Sequence, residues 1–375
     1  MRNRSVLCLA VAILALNGLR GAAQQPAQQQ PATTLKIQAR EVVLPVTVRD
    51  KKGALAPSLK ASDFTLTEDG RPQKIKSFTR ETDLPYRLGL LVDTSRSLSG
   101  AMENERKAAE KFVDTMLPEK PNASPDQMFL LHFDHEVELL EDFTISRDKL
   151  HRELDEMGPS KRAQSDSQGP ETSSDDRDRP RGGHGGTQLY DAIYLASDEL
   201  MRPQSGRKAL VVFSDGVDRG SKDTLNDAVD AADRANVGVY TIYFKGEQEH
   251  GEGGGYPGMG GGGHHGGGYP GGGGGYPGGG GRRGGGGSRE PEVDGKKIME
   301  QIATRTGGRF FEAKKKDNLE EIYGQIAEEL RGQYLLTYTP DVVDKDGGYH
   351  KIALKANSDS LVVVTREGYY AVGEK

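Results

Sequence analysis

The chain has 375 residues, enough for roughly two domains, but its composition limits how much of that length can pack into a core. Only 34% of the residues are hydrophobic and 51 are glycine, so part of the chain must lie in low-complexity segments. The 50 basic and 56 acidic residues are mixed along the chain and give a net charge of -6, which excludes the basic face typical of nucleic-acid binding.

Residues 1–23 have the pattern of a secretory signal. Arg2 and Arg4 precede an apolar stretch from Val6 to Leu16, and small residues near Ala23 form a cleavage site. The stretch is shorter than the roughly 20 apolar residues that span a bilayer. An uncleaved anchor is the alternative, but we expect cleavage and a periplasmic or secreted protein without a transmembrane span. Cys8 is the only cysteine, so the mature chain cannot form disulfides.

Residues 24–36 are rich in Gln, Pro and Ala and are predicted to form a disordered spacer. Residues 37–83 then predict β-structure. Alternation in the first run places four apolar residues on one face, as in a half-buried strand: Val42, Leu44, Val46 and Val48. Pro45 in the same run predicts an edge strand. The turn sequence Glu68-Asp69-Gly70 predicts a hairpin between the β-prone runs that end at Thr67 and begin at Gln73.

Short apolar runs alternate with amphipathic helices between residues 86 and 332. This alternation predicts an α/β domain with a doubly wound, mostly parallel, Rossmann-like sheet covered by helices on both sides. The run from Val137 to Leu140 follows Phe133 after a short turn, so we expect an antiparallel edge strand there. The predicted helices are 99–117, 146–157, 188–201, 224–235, 295–306 and 318–331, and the other strands are 88–92, 128–133, 209–213, 237–244 and 309–312.

Two segments interrupt the α/β pattern, residues 159–186 and 250–288. The first is polar and charged, and the second is glycine-rich with three Tyr-Pro pairs. Neither can bury enough apolar surface to offset the entropy of ordering, so both are predicted to be disordered surface loops. β-prone runs return in residues 333–372. We infer that residues 37–83 and 333–372 build one small β-sandwich-like unit, into which the α/β domain is inserted.

Polar residues stand at three element ends of the α/β domain. The stretch from Asp93 through Ser95 to Ser97 follows the first apolar strand, Thr187 precedes a helix, and Asp215 follows the strand 209–213. Ligands of open α/β sheets bind outside the carboxyl ends of the strands, so we expect these residues to meet at one edge. Each segment alone also fits a turn or a helix cap, and it is their coincidence that predicts a site.

The order Asp-x-Ser-x-Ser, loop Thr, then Asp-Gly resembles the metal-ion-dependent adhesion site, MIDAS, of von Willebrand factor A (VWFA) domains. The resemblance implies that Ser95, Ser97 and Thr187 offer hydroxyl oxygens to a divalent cation. It also implies that Asp93 and Asp215 bind the ion directly or through water. Hard oxygen donors suit Mg²⁺, the expected ion, with Mn²⁺ and Ca²⁺ as alternatives. Asp218 is interpreted as a loop or capping residue.

A wider resemblance links the chain to a bacterial group of exported VWFA-related proteins. It covers most of residues 37–372, and the long glycine-rich insertion departs from it. The stretches that carry the resemblance are Ser62-Asp63-Phe64, Glu68-Asp69-Gly70, Phe143-Thr144, residues 186–193, Thr306-Gly307-Gly308 and residues 329–334.

No catalytic set accompanies this site in the sequence. There is no Gly-x-Ser-x-Gly elbow and no P-loop, and His132 and His135 are interpreted as parts of a strand-end turn. A metal-dependent hydrolase is the least favoured reading, because hydroxyl ligands without a general base do not activate water. The leading hypothesis is a non-enzymatic, adhesion-type module that recognises an exposed Asp or Glu of a partner protein through the cation. The alternative is a structural or assembly subunit of the cell envelope in which the metal only stabilises the fold.

Overall fold

A computed structural model describes residues 41–80, 84–119, 125–158, 186–245, 294–314, 318–342 and 347–371. The predicted signal, the spacer, residues 159–185 of the first insertion and the whole of the second lie outside these residues. Among the described helices, none combines the length and the apolar character that a membrane span requires.

The described strands are β1 (Val42–Asp50), β2 (Phe64–Glu68), β3 (Arg71–Gln73), β4 (Ile75–Thr79), β5 (Tyr86–Asp93), β6 (Gln127–Phe133), β7 (Val137–Thr144), β8 (Arg207–Ser214), β9 (Gly238–Phe244), β10 (Phe310–Ala313), β11 (Tyr334–Tyr338), β12 (Tyr349–Ala356), β13 (Leu361–Val364) and β14 (Gly368–Tyr370). The described α-helices are α1 (Met102–Met116), α2 (Arg147–Glu156), α3 (Leu189–Leu195), α4 (Leu225–Ala235), α5 (Gly295–Thr306) and α6 (Leu319–Gly332). A π-helical segment, Ala196–Met201, continues α3, and 3₁₀ turns lie at Ala61–Asp63 and Arg96–Leu98.

A six-stranded sheet in the order β10-β9-β8-β5-β6-β7 forms the centre of the α/β part. Its neighbouring strands pair in parallel except for β6 and β7, which are antiparallel. The predicted mostly parallel sheet and its antiparallel edge strand are therefore confirmed. Strand β7 continues to Thr144, beyond the Leu140 expected from the sequence.

Helices cover both faces of this sheet because its central strands are apolar on both faces. Leu88 and Leu90 of β5 pack in one cluster with residues of α1, α2 and α6. Leu91 of the same strand packs in the other cluster, with residues of α3, α4 and α5. Burial of each such leucine contributes about 1.5–3 kcal/mol. The continuous apolar run that predicted a doubly buried strand is thus explained by the two helix layers.

The terminal segments form two antiparallel four-stranded sheets, in the orders β13-β1-β11-β4 and β14-β12-β2-β3. Both sheets contribute to one apolar cluster, which contains Leu44 of β1, Leu66 of β2, Leu336 of β11 and Ile352 of β12. The predicted fold class, an α/β domain joined to β-structure from both chain termini, is confirmed. The exact domain limits stay a prediction.

The prediction that Pro45 marks an edge strand is wrong, because β1 lies between β11 and β13. Strand β13 pairs only with Thr47–Asp50, so its ladder stops short of Pro45. The Pro45 carbonyl faces the β13 side, where it accepts a hydrogen bond from the Thr365 hydroxyl at 2.8 Å. The nitrogen of a strand residue points to the same side as its carbonyl, so no ladder bond is lost at the proline.

The predicted hairpin is also corrected. Strand β2 pairs with the short β3 after the Asp69-Gly70 turn, as expected. The second β-prone run does not continue in that sheet, because Ile75–Thr79 pairs with β11 in the other sheet. The chain changes sheets at Lys74, a step that alternation in a single run does not reveal.

Ion pairs join the β-unit, meaning the two terminal sheets, to the α/β part. The buried Glu329 carboxylate near the end of α6 lies 2.9 Å from Arg49 of β1 and 3.5 Å from Arg309. Arg366 donates to the Asn236 side chain after α4 and to the Val43 carbonyl of β1. Helix α6 also continues directly into β11, so the α/β part and the β-unit are connected covalently and through buried charge.

Replacing Gly89 with alanine tests how tightly the centre of the sheet is packed. A Cβ at Gly89 of β5 would overlap the buried side chains of Phe129 and Leu210. Overpacking of this kind costs about 1–3 kcal/mol, so we expect Gly89→Ala to lower the free energy of unfolding by that amount in urea titrations. Gly324→Ala in α6 is the matched control, because a Cβ there contacts nothing within 4 Å. Gly324→Ala should raise the free energy of unfolding by about 0.5–1 kcal/mol. Equal stability of the two variants would contradict the tight packing described around Gly89.

Candidate functional site

The first site loop follows the buried strand β5. Asp93 ends this strand with its side chain fully buried. Its Oδ1 accepts a hydrogen bond from the Ser95 amide at 2.9 Å, which turns the chain into the 3₁₀ segment. Leu98 at the end of that segment is fully buried in the helix-covered core and anchors the loop before α1 begins. The predicted Asp-x-Ser-x-Ser stretch is therefore a rigid turn between a central strand and a helix.

The second loop follows β8, which pairs in parallel with β5. Ser214 at the end of β8 donates to Asp93 Oδ2 at 2.7 Å, so each oxygen of the Asp93 carboxylate has a donor. Ser97 Oγ donates to Asp215 Oδ2 at 2.8 Å, and the Ser95 and Ser97 hydroxyls lie 3.1 Å apart. The structure thus brings together four of the five predicted site residues through direct hydrogen bonds.

Thr187 lies between the same strand ends. The neighbouring Gln188 amide donates to the Asp134 carbonyl after β6 at 2.8 Å. The Thr187 carbonyl accepts from the Arg219 amide at 3.0 Å, which ties this segment to the loop that carries Asp215. Thr187 itself is 8% exposed and precedes α3. All three predicted segments therefore meet at the carboxyl edge of the parallel strands.

Two residues that position the Asp215 loop had no predicted role. Ser214 directly precedes Asp215, and its position at the end of a strand beside β5 was the available signal. The second is Gly295 at the start of α5, where a Cβ would overlap the Asp215 carbonyl. Gly216 has a φ of +73°, and a Cβ there would overlap Gly295. No local sequence pattern indicates this role of Gly295, because the close contact is between Gly295 and Asp215, which are far apart in the chain.

Asp218 and the two histidines hold neighbouring loops. Asp218 Oδ1 accepts from the Tyr190 amide at 3.2 Å, so it caps the start of α3 as a loop residue. His132 Nδ1 lies 3.3 Å from the Thr94 hydroxyl and its Nε2 3.1 Å from Glu138. His135 Nδ1 accepts from the Gly186 amide at 2.8 Å. His135 therefore lies in the turn after β6, as interpreted, whereas His132 is a buried residue of β6 itself.

The electrostatics of the site are set by two neighbouring carboxylates. Burial, and next the charge of Asp215, raise the pKa of Asp93 to about 7, although hydrogen bonds from Ser95 and Ser214 oppose the shift. Within the described residues, neither Asp93 nor Asp215 forms an ion pair with a Lys, Arg or His. A buried charge without a partner is costly, so this arrangement favours a proton or a cation between the two groups.

Comparison with known families assigns the α/β part. Residues 88–217, from β5 to the Asp215 loop, match the sequence model of the von Willebrand factor type A domain. Residues 88–217 are thus similar to a von Willebrand factor type A (VWA) domain, and the α/β part that contains them is called the VWA domain below. No curated protein matches the sequence.

Several solved structures resemble the chain. Proximal thread matrix protein 1 from the mussel byssus, with a zinc-occupied MIDAS motif, is 12% identical at a TM-score of 0.42, over 69% of this chain and 48% of that one. This chain therefore spans about half of that protein. The vWF domain of the type V pili tip protein Mfa5 from Porphyromonas gingivalis is 12% identical at a TM-score of 0.42, over 66% and 95%. BatB from Bacteroides thetaiotaomicron is 15% identical at a TM-score of 0.38, over 66% and 99%.

Asp93→Asn tests the cost of the buried carboxylate in protein treated with a chelator. The folded-state pKa of about 7 lies above the ordinary value of 3.8, so the folded wild type loses stability as pH rises between these values. The loss is up to about 1.4 kcal/mol per pH unit. We expect the Asn variant to be the more stable protein at pH 8 and to lose this advantage towards pH 4, in urea titrations at each pH.

Asp218→Asn is the matched control for this experiment, because Asp218 caps a helix at the same edge without burial against a second carboxylate. Asp218→Asn should give no increase in the free energy of unfolding at pH 8. A metal-free Asp93→Asn variant that is less stable than the wild type at pH 8 would contradict the electrostatic description.

Proposed function

We propose that Asp93, Ser95, Ser97, Thr187 and Asp215 hold a divalent cation, and that this ion binds an exposed Asp or Glu of a partner protein. Mg²⁺ is the expected ion, with Mn²⁺ and Ca²⁺ as alternatives. The observation that carries the proposal is the convergence of the Asp93 and Asp215 carboxylates with two serine hydroxyls at one sheet edge, without an ion-pair partner for either carboxylate in the described chain.

The oxygen spacing supports an octahedral ion. Neighbouring ligands around Mg²⁺, with bonds of about 2.1 Å, lie about 3.0 Å apart. Ser97 Oγ lies 2.8 Å from Asp215 Oδ2 and 3.1 Å from Ser95 Oγ. A cation that accepts lone pairs from these three oxygens replaces their mutual hydrogen bonds with little movement. All the donors are oxygen atoms. A set of this kind suits Mg²⁺, Mn²⁺ and Ca²⁺ better than it suits zinc-class ions.

The charge of the site supports an anionic ligand from outside. Two carboxylates balance a divalent ion, and the remaining donors are neutral hydroxyls. Mg²⁺ usually keeps several coordination positions for water or substrate oxygens, so a partner carboxylate has a position to enter. Ser95, Ser97 and Asp215 are only half-buried, which leaves the donor set accessible.

Basic residues at the rim favour the same kind of partner. Arg96 lies between the two serines and is exposed. Arg219 is also exposed, and its amide is bonded to the Thr187 carbonyl. Positive charge around a binding site steers acidic groups towards it and suppresses basic partners. The proposal is therefore a non-enzymatic, adhesion-type VWA module, exported as residues 1–23 predict.

Calorimetric titration with Mg²⁺ and with Mn²⁺ tests the ion. We expect wild-type protein to bind one ion at this site and Asp93→Ala or Asp215→Ala to lower the affinity by more than about tenfold, because each removes a negative ligand. Asp218→Ala is the control, since it removes a carboxylate at the same edge that lies outside the donor set. Equal affinity of wild type and Asp93→Ala would sink the metal assignment.

Peptides selected from a random library for binding to the Mg²⁺-loaded protein test the partner chemistry. We expect each to contain an Asp or Glu whose amide replacement lowers the affinity at least about tenfold, a change of about 1.4 kcal/mol, and binding to vanish with chelator or with Asp215→Ala. Peptide binding that survives chelator would contradict recognition through the ion.

Deletion of residues 250–288 separates the proposal from the alternative of an envelope assembly subunit. If the adhesion proposal holds, the deletion variant should bind the ion and the selected peptides as the wild type does. Retained ion binding with loss of interaction would instead favour the assembly subunit, whose contacts come from the insertion.

A further inference from the structure

A second cluster of metal-binding side chains lies in the β-unit, outside the VWA domain. Glu68 ends β2, Asp69 lies in the β2–β3 turn, and His350 lies on β12. One potential ligand atom of each lies within 4.8 Å of the other two. His350 Nδ1 is 2.9 Å from Asp69 Oδ2 and 3.6 Å from Glu68 Oε1. An imidazole and two carboxylates therefore converge on one point.

Strand pairing and the turn hold this cluster in place. Strand β12 pairs antiparallel with β2, with Ile352 opposite Glu68. Asp69 has a φ of +48°, and its amide donates to the Lys351 carbonyl at 2.8 Å. The Lys351 amide in turn donates to Asp69 Oδ1 at 2.9 Å. Asp69 is thus fixed beside His350 with Oδ2 directed towards the imidazole.

Two tyrosines orient the buried Glu68 carboxylate. Tyr338 donates its hydroxyl to Glu68 Oε2 at 2.6 Å, and Tyr369 donates to the same oxygen at 3.2 Å. Both donors engage Oε2, which leaves Oε1 as the atom nearest His350. The Tyr369 ring also stacks on the imidazole, with centroids 5.4 Å apart. Supporting contacts of this kind orient the ligands of metal sites.

The geometry and charge of the cluster fit a zinc-class ion. Tetrahedral Zn²⁺ with bonds of about 2.0–2.1 Å places its ligand atoms about 3.3–3.4 Å apart. The distances from His350 Nδ1 to the Asp69 and Glu68 oxygens, 2.9 Å and 3.6 Å, bracket this value. Two carboxylates and a neutral imidazole balance a divalent charge. Glu68 is 1% exposed, whereas the Asp69 side chain is 35% exposed, so the cluster opens to solvent on the Asp69 side.

We propose that Glu68, Asp69 and His350 form a second metal site that binds a zinc-class transition ion, with water as the fourth ligand. The imidazole distinguishes it from the oxygen-only site of the VWA domain, because nitrogen donors favour Zn²⁺ over Mg²⁺. The ion would join the N-terminal and C-terminal segments of the β-unit, because its ligands Asp69 and His350 lie 281 positions apart in the chain. Cys8 is the only cysteine, so a metal supplies a cross-link that disulfides cannot.

Arg71 adds a test of charge, because its Nη2 lies 3.7 Å from Asp69 Oδ2 and opposes a cation there. Removal of this guanidinium should tighten metal binding.

The experiment uses the full chain carrying Asp93→Ala and Asp215→Ala, so that the VWA site does not contribute. After treatment with chelator, calorimetric titration with Zn²⁺ should show one saturable site that excess Mg²⁺ does not compete for. Adding His350→Gln should weaken Zn²⁺ binding at least about tenfold, and adding Arg71→Gln should strengthen it. His151→Gln is the control, because that histidine pairs with Asp114 at 3.4 Å on other elements and its loss should change nothing.

Asp69→Asn keeps the test decisive if His350→Gln does not fold. The amide oxygen still accepts from the Lys351 amide, while the negative ligand is lost, so Zn²⁺ binding should again weaken at least about tenfold. Zn²⁺ in large excess over its Kd should raise the Tm of the parent by a few degrees, and less for Asp69→Asn. Absence of saturable Zn²⁺ binding in the parent, or equal affinity in a folded His350→Gln or Asp69→Asn variant, would overturn the proposal.

Discussion

The buried carboxylate of Asp93 is the constraint around which the VWA domain is arranged. A carboxylate with no exposed surface is tolerated only when its oxygens are satisfied and its charge is balanced. The Ser95 amide and the Ser214 hydroxyl meet the first requirement. The second is not met by any Lys, Arg or His in the described residues, and Asp215 adds a further negative charge. A proton on Asp93, or the proposed cation between Asp93 and Asp215, would supply this balance.

The parallel sheet separates this edge from the β-unit. The site lies at the carboxyl ends of β5 and β8, whereas Tyr86 at the start of β5 donates its hydroxyl to the Leu330 carbonyl near the end of α6, where the chain passes into β11. The length of a strand thus lies between the site and the attachment of the β-unit. Among the described residues, the proposed site and the attachment of the β-unit therefore lie at opposite ends of the parallel strands.

The two metal sites proposed for this chain differ because their donors differ. Carboxylates and hydroxyls at the sheet edge offer only hard oxygens, whereas the cluster in the β-unit adds the imidazole of His350. Hard oxygen sites favour Mg²⁺ and its relatives, and imidazole favours zinc-class ions. In the proposed VWA site, Ser95, Ser97 and Asp215 are half-buried, which suits the approach of a partner group. The other site joins strands from opposite ends of the chain, which suits a role in stability.

Local pattern was sufficient for most elements, and together with the order of the strands it predicted that the three segments carrying the proposed VWA site residues would meet at one edge of the sheet. The length of the apolar run distinguished the doubly buried strand β5. Parallel strands necessarily carry their carboxyl ends to one edge. Only the tertiary structure showed four other features. These are the inner position of Pro45, the change of sheet at Lys74, the approach of Gly295 to Asp215 and the meeting of Glu68 with His350. Each depends on strand order or on contacts between residues far apart in the chain, which periodicity within a single segment does not encode.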